Sequence, residues 1–238
     1  MTARYAIYYA PPPESALSQR AAAWLGRDAF TGQRLERPAF PRLVGLNLDD
    51  ITRDPRGYGF HATLKAPFEL APEVHEDDLL EAAAILTARL EAFETTITLA
   101  NVGRFLAFCL ATSSADIEAL HRACVTEFDR FRAPLSDFDL KRRRKASLSA
   151  KQEEGLITWG YPYVFENFRF HMTLTGSLSD GMVGERVLAA LKDYFADVAG
   201  AHRFDGVCVF KQDGRGAPFR VLSRFEFRSA PSLRAATA

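Results

Sequence analysis

The apolar positions of this chain recur with a period of two in some stretches and of about 3.6 in others, and the changes of period mark its elements. Arg4 to Ala10 reads as a first strand, stopped by Pro11 to Pro13, which lack the N–H that a ladder needs. Glu14 to Leu25, rich in Ala and Leu and followed by Gly26, reads as a helix. Thr31 to Tyr58 is broken by Pro38, Pro41, Asp54-Pro55 and Gly57 and predicts a long irregular connection of the kind that forms lids and binding loops. Phe60, Ala62 and Leu64 then alternate with His61, Thr63 and Lys65, predicting a short strand ended by Pro67. Glu76 to Phe93 is a helix, with Leu79, Leu80, Ala83, Leu86 and Leu90 on one stripe. Thr95 to Val102 and Phe105 to Thr112 predict a hairpin about Gly103.

The second half repeats that order. Ala115 to Phe131 is a helix with Ile117, Leu120, Cys124 and Phe128 on its face, and a long irregular stretch leads to a strand over Phe168 to Thr175. In that strand Phe170, Met172 and Leu174 alternate with His171 and Thr173. Gly181 to Ala199 is again a helix, and Arg203 to Phe210 and Phe219 to Phe227 are again two strands, joined through Asp213-Gly214-Arg215-Gly216. The repeats, about 59–112 and 168–228 within one domain over 1–238, predict an α+β fold of two pseudo-symmetric lobes. Each lobe is an antiparallel sheet with flanking helices, and the two His-x-Thr strands line a shared cleft.

His-x-Thr-Leu therefore occurs twice, at His61 to Leu64 and at His171 to Leu174, close to half the chain apart. On a strand, His and Thr two apart point to the same face, so two such strands set two acid/base groups and two hydroxyl donors around one small anion. Threonine is also a common strand residue; its shared offset from histidine in both copies is what speaks for a role. His75, His121 and His202 fit no pattern and are read as structural or surface residues.

The strings Tyr58-Gly59-Phe60-His61-Ala62-Thr63-Leu64-Lys65-Ala66-Pro67-Phe68 and Phe168-Arg169-Phe170-His171-Met172-Thr173-Leu174-Thr175, each followed by a helix and two strands, resemble the two-histidine (2H) phosphoesterase superfamily. Within it they resemble a bacterial branch, DUF1045, associated with phosphonate metabolism. The resemblance implies a metal-independent hydrolase of the cyclic phosphodiesterase type that needs no cofactor. It implies His61 and His171 as acid and base, and Thr63 and Thr173 as ligands of the phosphate oxygens. The implied substrate is a small cyclic ribose or sugar phosphate, with 2′,3′-cyclic ends of RNA or nucleotides as the alternative. A non-catalytic module that binds a nucleotide or RNA end in the same cleft is a further alternative.

Thirty basic and thirty acidic residues cancel, so no global positive field argues for general nucleic-acid binding. One dense basic run, Lys141-Arg142-Arg143-Arg144-Lys145, falls in the long stretch before the second His strand. It is read as a loop at the cleft mouth in which Arg142, Arg143 or Arg144 clamps a phosphate or the sugar end of the substrate; the alternative is a solvated surface run. Lys65 replaces the threonine found at Thr175 in the other copy. By alternation it shares the face of His61 and Thr63, where it extends an ammonium to a phosphate or else ends the strand in solvent. Tyr163, with Tyr161 and Phe165 and with Tyr5 and Tyr8 on the first strand, offers faces for stacking a base or sugar, against a bland role in packing.

Other chemistries lack their residues. No His-x-x-x-His or His-x-His-x-Asp string offers a metal site, and no Gly-x-Ser-x-Gly offers a nucleophile elbow. Cys109, Cys124 and Cys208 are scattered without metal spacing and read as free thiols in a reducing compartment. With 47% hydrophobic residues the chain can bury a sizeable core, yet no apolar run approaches a membrane span and the N-terminus is too polar for a signal peptide. A cytoplasmic protein acting on a small phosphate ester is the expectation.

Overall fold

A computed structural model describes residues 2–178 and 180–228. The chain opens with strand β1 (Arg4–Tyr9) and helix α1 (Ala16–Leu25), which Ser15 caps by accepting from the N–H of Ser18 and Gly26 ends in the left-handed conformation. The stretch expected to be irregular up to Tyr58 instead holds a 3₁₀ turn and two short helices, α2 (Leu48–Ile51) and α3 (Arg53–Tyr58). Asn47 caps the first of these through its side-chain oxygen, and Pro55 fits the first turn of the second, where its missing N–H costs nothing.

Strand β2 (Ala62–Phe68) carries the first motif and is followed by α4 (Glu76–Thr87), which stops earlier than its apolar stripe suggests. The hairpin β3 (Phe93–Val102) and β4 (Phe105–Leu110) leads to α5 (Ala115–Glu127). Helices α6 (Asp137–Arg143) and α7 (Ala150–Trp159) occupy the second stretch expected to be irregular. Strand β5 (His171–Thr173), shorter than its pattern predicts, carries the second motif and precedes α8 (Gly181–Tyr194). One expected strand over Arg203 to Phe210 is two, β6 (Gly200–Phe204) and β7 (Gly206–Gln212), and β8 (Arg220–Glu226) closes the fold.

All eight strands form one sheet in the order β6-β3-β4-β5-β2-β1-β7-β8, with every pairing antiparallel. Its two halves, β6-β3-β4-β5 and β2-β1-β7-β8, are related by a pseudo-twofold, and the motif strands meet at the seam. The repeats and the halves do not coincide. The hairpin that follows the first motif joins the half of the second, and the β7–β8 hairpin that follows the second motif joins the half of the first.

Helices α1, α4, α5 and α8 bury their stripes (Trp24, Leu79, Leu120 and Leu191 among them) against Ile7, Leu64, Phe108, Met172 and Val209 on one face of the sheet. A smaller cluster of Ala6, Tyr8, Cys208, Phe210 and Phe219 packs on the other face, which is also the face of the motif side chains. Among the described residues no helix is long and apolar enough to cross a membrane.

Candidate active site

The seam between the halves is a single ladder pair, Ala62 opposite Met172. In an antiparallel ladder that one pair fixes the rest: His61 lies across from Thr173, and Thr63 across from His171. Directly opposed Cβ atoms stand about 5 Å apart and diagonal neighbours about 7–8 Å, so the two imidazoles sit on one diagonal of a small square and the two hydroxyls on the other. Two cavities bear this out, one lined by both His61 and Thr173 and one by both Thr63 and His171.

Each imidazole is anchored alike. His61 Nδ1 is 2.9 Å from the carbonyl oxygen of Gly59, and His171 Nδ1 is 2.8 Å from that of Arg169. A carbonyl only accepts, so Nδ1 carries the proton in both rings and Nε2 is left for chemistry. In the first copy Nε2 lies 3.3 Å from Thr63 Oγ1. Gly59 has φ +81°, and a Cβ there would lie 2.4 Å from the Cβ of Ala29, so the anchoring residue must be glycine. Tyr8 stacks on the His61 ring, centroids 3.8 Å apart, and Phe210 and Tyr58 complete an aromatic surround. Burial lowers the His61 pKa to about 4 against the Gly59 hydrogen bond, and the nearby His171 adds to the lowering. His61 is therefore uncharged at neutral pH.

Lys65 does not share the face of His61 and Thr63. The β1–β2 register pairs Tyr8 with Thr63 but Ile7 with Lys65, so Leu64 is the extra residue of a bulge. Leu64 and Lys65 consequently both turn to the core side. There Lys65 Nζ donates to Asp129 Oδ1 at 2.9 Å and to the carbonyl of Val125 at 3.1 Å, with the side chain almost wholly buried. Its ammonium ties β2 to the end of α5, and the residue also lines the cavity beside His171 and Thr63.

The basic run, expected to be a loop, is a helix end over Lys141 to Arg143, with Arg144 as the C-cap and Lys145 in the turn that follows. Ser136 caps α6, Asp137 and Asp139 sit in its first turn and Lys141 to Arg143 in its last, an arrangement suited to the helix dipole. Its end borders the site as expected. Arg142 and Arg143 line a cavity of about 250 Å³ together with His61, Thr63 and Thr173. Arg144 does not line it; its guanidinium pairs with Glu153 on α7. Arg4, Tyr8, Tyr58 and Tyr161 line it as well, beside Ala66 and Pro67, and were passed over or given no definite place by sequence reasoning, although Arg4, Ala6 and Tyr8 share a face by simple alternation.

On the far side of Thr63 the motif strands splay, opening a larger and mainly apolar cavity of about 370 Å³ beside His171. Trp159, Tyr161, Tyr163, Phe105 and Phe168 wall it. Tyr163 thus belongs to this cavity rather than to the arginine-lined one. His121 braces its floor: Nδ1 donates to the Leu64 carbonyl at 2.9 Å, Nε2 accepts from the Phe165 N–H at 3.0 Å, and Phe168 stacks on the ring. Among the described residues no group of three or more His, Cys, Asp and Glu is placed to hold a metal ion.

Residues 63–220 match the family described as "Protein of unknown function (DUF1045)". The chain belongs to the DUF1045 family. Two curated relatives are both called "Ribose 1,5-bisphosphate phosphokinase PhnN". The one from Janthinobacterium sp. (strain Marseille) is 36% identical over 94% of this chain and 51% of its own length, and the one from Laribacter hongkongensis (strain HLHK9) is 33% identical over 92% and 50%. The chain thus spans about half the length of these relatives. Among solved structures, E. coli LigT complexed with 3′-AMP is similar at a TM-score of 0.43 and 13% identity, over 95% of this chain and 99% of that one. TT0787 of Thermus thermophilus gives a TM-score of 0.44 at 13% identity, over 95% and 98%.

Proposed function

We propose that this protein is a metal-independent phosphoesterase of the 2H type that opens a small cyclic ribose or sugar phosphate. The observation that carries the reading is the Ala62–Met172 pair, which sets His-x-Thr against His-x-Thr across one seam. In the reaction, water attacks phosphorus and gives its proton to the free Nε2 of His61, which burial keeps neutral. The ester bond on the opposite side of phosphorus breaks, and the departing oxygen takes the second proton of a doubly protonated His171, the one carried on Nε2. Thr63 and Thr173, on the other diagonal, donate to the non-bridging oxygens as charge shifts in the transition state.

The relatives' name, which speaks of ribose 1,5-bisphosphate, supports a ribose phosphate as the substrate class, and this chain has no Gly-x₄-Gly-Lys-Ser/Thr string of its own for a kinase reaction. A second reading, a nucleotide or RNA end with a 2′,3′-cyclic phosphate, is favoured by the aromatic walls of the cavity beside His171. The free thiols Cys109, Cys124 and Cys208 suit a cytoplasmic setting. Turnover of a panel of cyclic ribose phosphates and nucleoside 2′,3′-cyclic phosphates, with a chelator present, decides between the two. Full activity in a His61→Ala, His171→Ala double variant, or activity that vanishes with the chelator and returns with a divalent metal, overturns the proposal.

A further inference from the structure

We infer that the arginine-lined cavity beside His61 is a second phosphate site, so that the substrate carries, besides its cyclic phosphodiester, a separate phosphate monoester held by Arg4 and Arg143. The inference rests on the phosphoesterase reading for the first phosphate and goes beyond it for the second.

Three arginines, Arg4, Arg142 and Arg143, line this cavity, and among the described residues no acidic side chain does. Arg142 is balanced by Asp139, 3.1 Å away, a carboxylate it shares with Arg215. The other two have no carboxylate partner among the described residues. Arg4 gives its Nε–H at 2.8 Å, and a second N–H, to the neutral amide oxygen of Gln212. Arg143 lays its guanidinium over the ring of Tyr161 at 4.7 Å, and its Nε is shut off from solvent without a partner.

A buried N–H with nothing to donate to is costly, and an anion is one group that supplies the missing acceptor. Charge gives the same reading. Burial lowers the pKa of Arg143 and of Arg4, and neighbouring arginines push in the same direction: Arg142 and Arg4 on Arg143, Arg215 and Arg142 on Arg4. A dianion relieves that repulsion, and the planar fork of a guanidinium matches two phosphate oxygens. Because His61, Thr63 and Thr173 line the same cavity, the second phosphate shares one space with the reacting one.

The test compares a ribose cyclic phosphate whose 5-hydroxyl is free with the same compound phosphorylated there. The wild type is expected to favour the phosphorylated compound by about 10²-fold in kcat/KM, and Arg143→Met and Arg4→Gln each to lower that ratio about tenfold or more, with melting temperatures checked for both. A ratio near one in the wild type, or one that neither variant changes, overturns the inference. If neither compound is turned over, calorimetric titration with ribose 5-phosphate reads the site without catalysis. Binding that weakens at least tenfold in Arg143→Met upholds it, and equal binding or none refutes it. Inorganic phosphate that competes as well as ribose 5-phosphate makes this a free-phosphate site, which also refutes the inference.

Discussion

A histidine tied through Nδ1 to a main-chain carbonyl has one nitrogen left, and in this protein both motif histidines are tied that way. Replacing either His61 or His171 by Ala is expected to lower kcat by about 10²-fold or more, the scale of a lost general acid or base, in steady-state assays on the true substrate. Thr63→Ala and Thr173→Ala each remove one neutral donor among several and are expected to cost less. Since His61 titrates near pH 4, kcat/KM should hold on the acid side until His61 takes a proton about there, and not fall at the 6.5 of a free imidazole. An acid limb centred near 6.5 in a pH–rate profile contradicts the role of His61 as the buried base. At this scale the sequence was readable where residue type and spacing suffice, as in His-x-Thr. It misled at Lys65 because a bulge at Leu64 breaks the alternation on which the face assignment rests. Arg4 and Tyr161 reach the site from segments remote in sequence; alternation sets Arg4 on the face of Tyr8 and Tyr161 is one of several aromatic candidates, but neither pattern fixes a place in the cavity.

Elements hold these side chains in place, and two contacts between elements are open to test. Gly59→Ala puts a Cβ into Ala29 at a positive φ and displaces the carbonyl that orients His61. The variant is expected to lose about 1–3 kcal/mol of stability by chemical denaturation and to lose kcat with it. His121→Ala orphans the Leu64 carbonyl and the Phe165 N–H together, at a cost of about 1–3 kcal/mol per buried group, and loosens the wall of the apolar cavity. Melting temperature and KM are the readouts. Helix and strand identities followed from periodicity and caps, but the two connections expected to be irregular are so only in part and contain short helices. Asn47 and Ser136 were available as N-cap signals there, and the acidic first turn and basic last turn of α6 were the signs that its arginine run is a helix end. Asp205-Gly206, a dipeptide that favours turns, marks the break between β6 and β7, and reading one strand over Arg203 to Phe210 ran across it.

Across the whole molecule, three histidines, His61, His121 and His202, are held by burial at pKa values of about 4. Unfolding returns each to about 6.5, so between these values the unfolded chain binds more protons than the folded one. Stability is therefore full above about pH 6.5, falls as the pH drops toward about 4, and takes no further loss from these groups below that. Melting temperatures measured from pH 8 to 4 should show the decline, and a flat profile over that window rules out three buried neutral rings. The duplication was visible in the sequence, but the exchange of hairpins between halves was not, because strand order is a long-range property that neither repeat encodes alone. That exchange bears on cutting the chain. A break at Gly103, the tip of the β3–β4 turn, gives one fragment with β1, β2 and β3 and another with β4 to β8. Strand β3 of the first then belongs between β4 and β6 of the second, while β7 of the second belongs beside β1 of the first. Each piece clasps the other, and each owns one His-x-Thr. Expressed apart, both are expected to be inert. Mixed, they should reassemble by complementation and restore turnover, so that activity itself reports whether the two polypeptides have met.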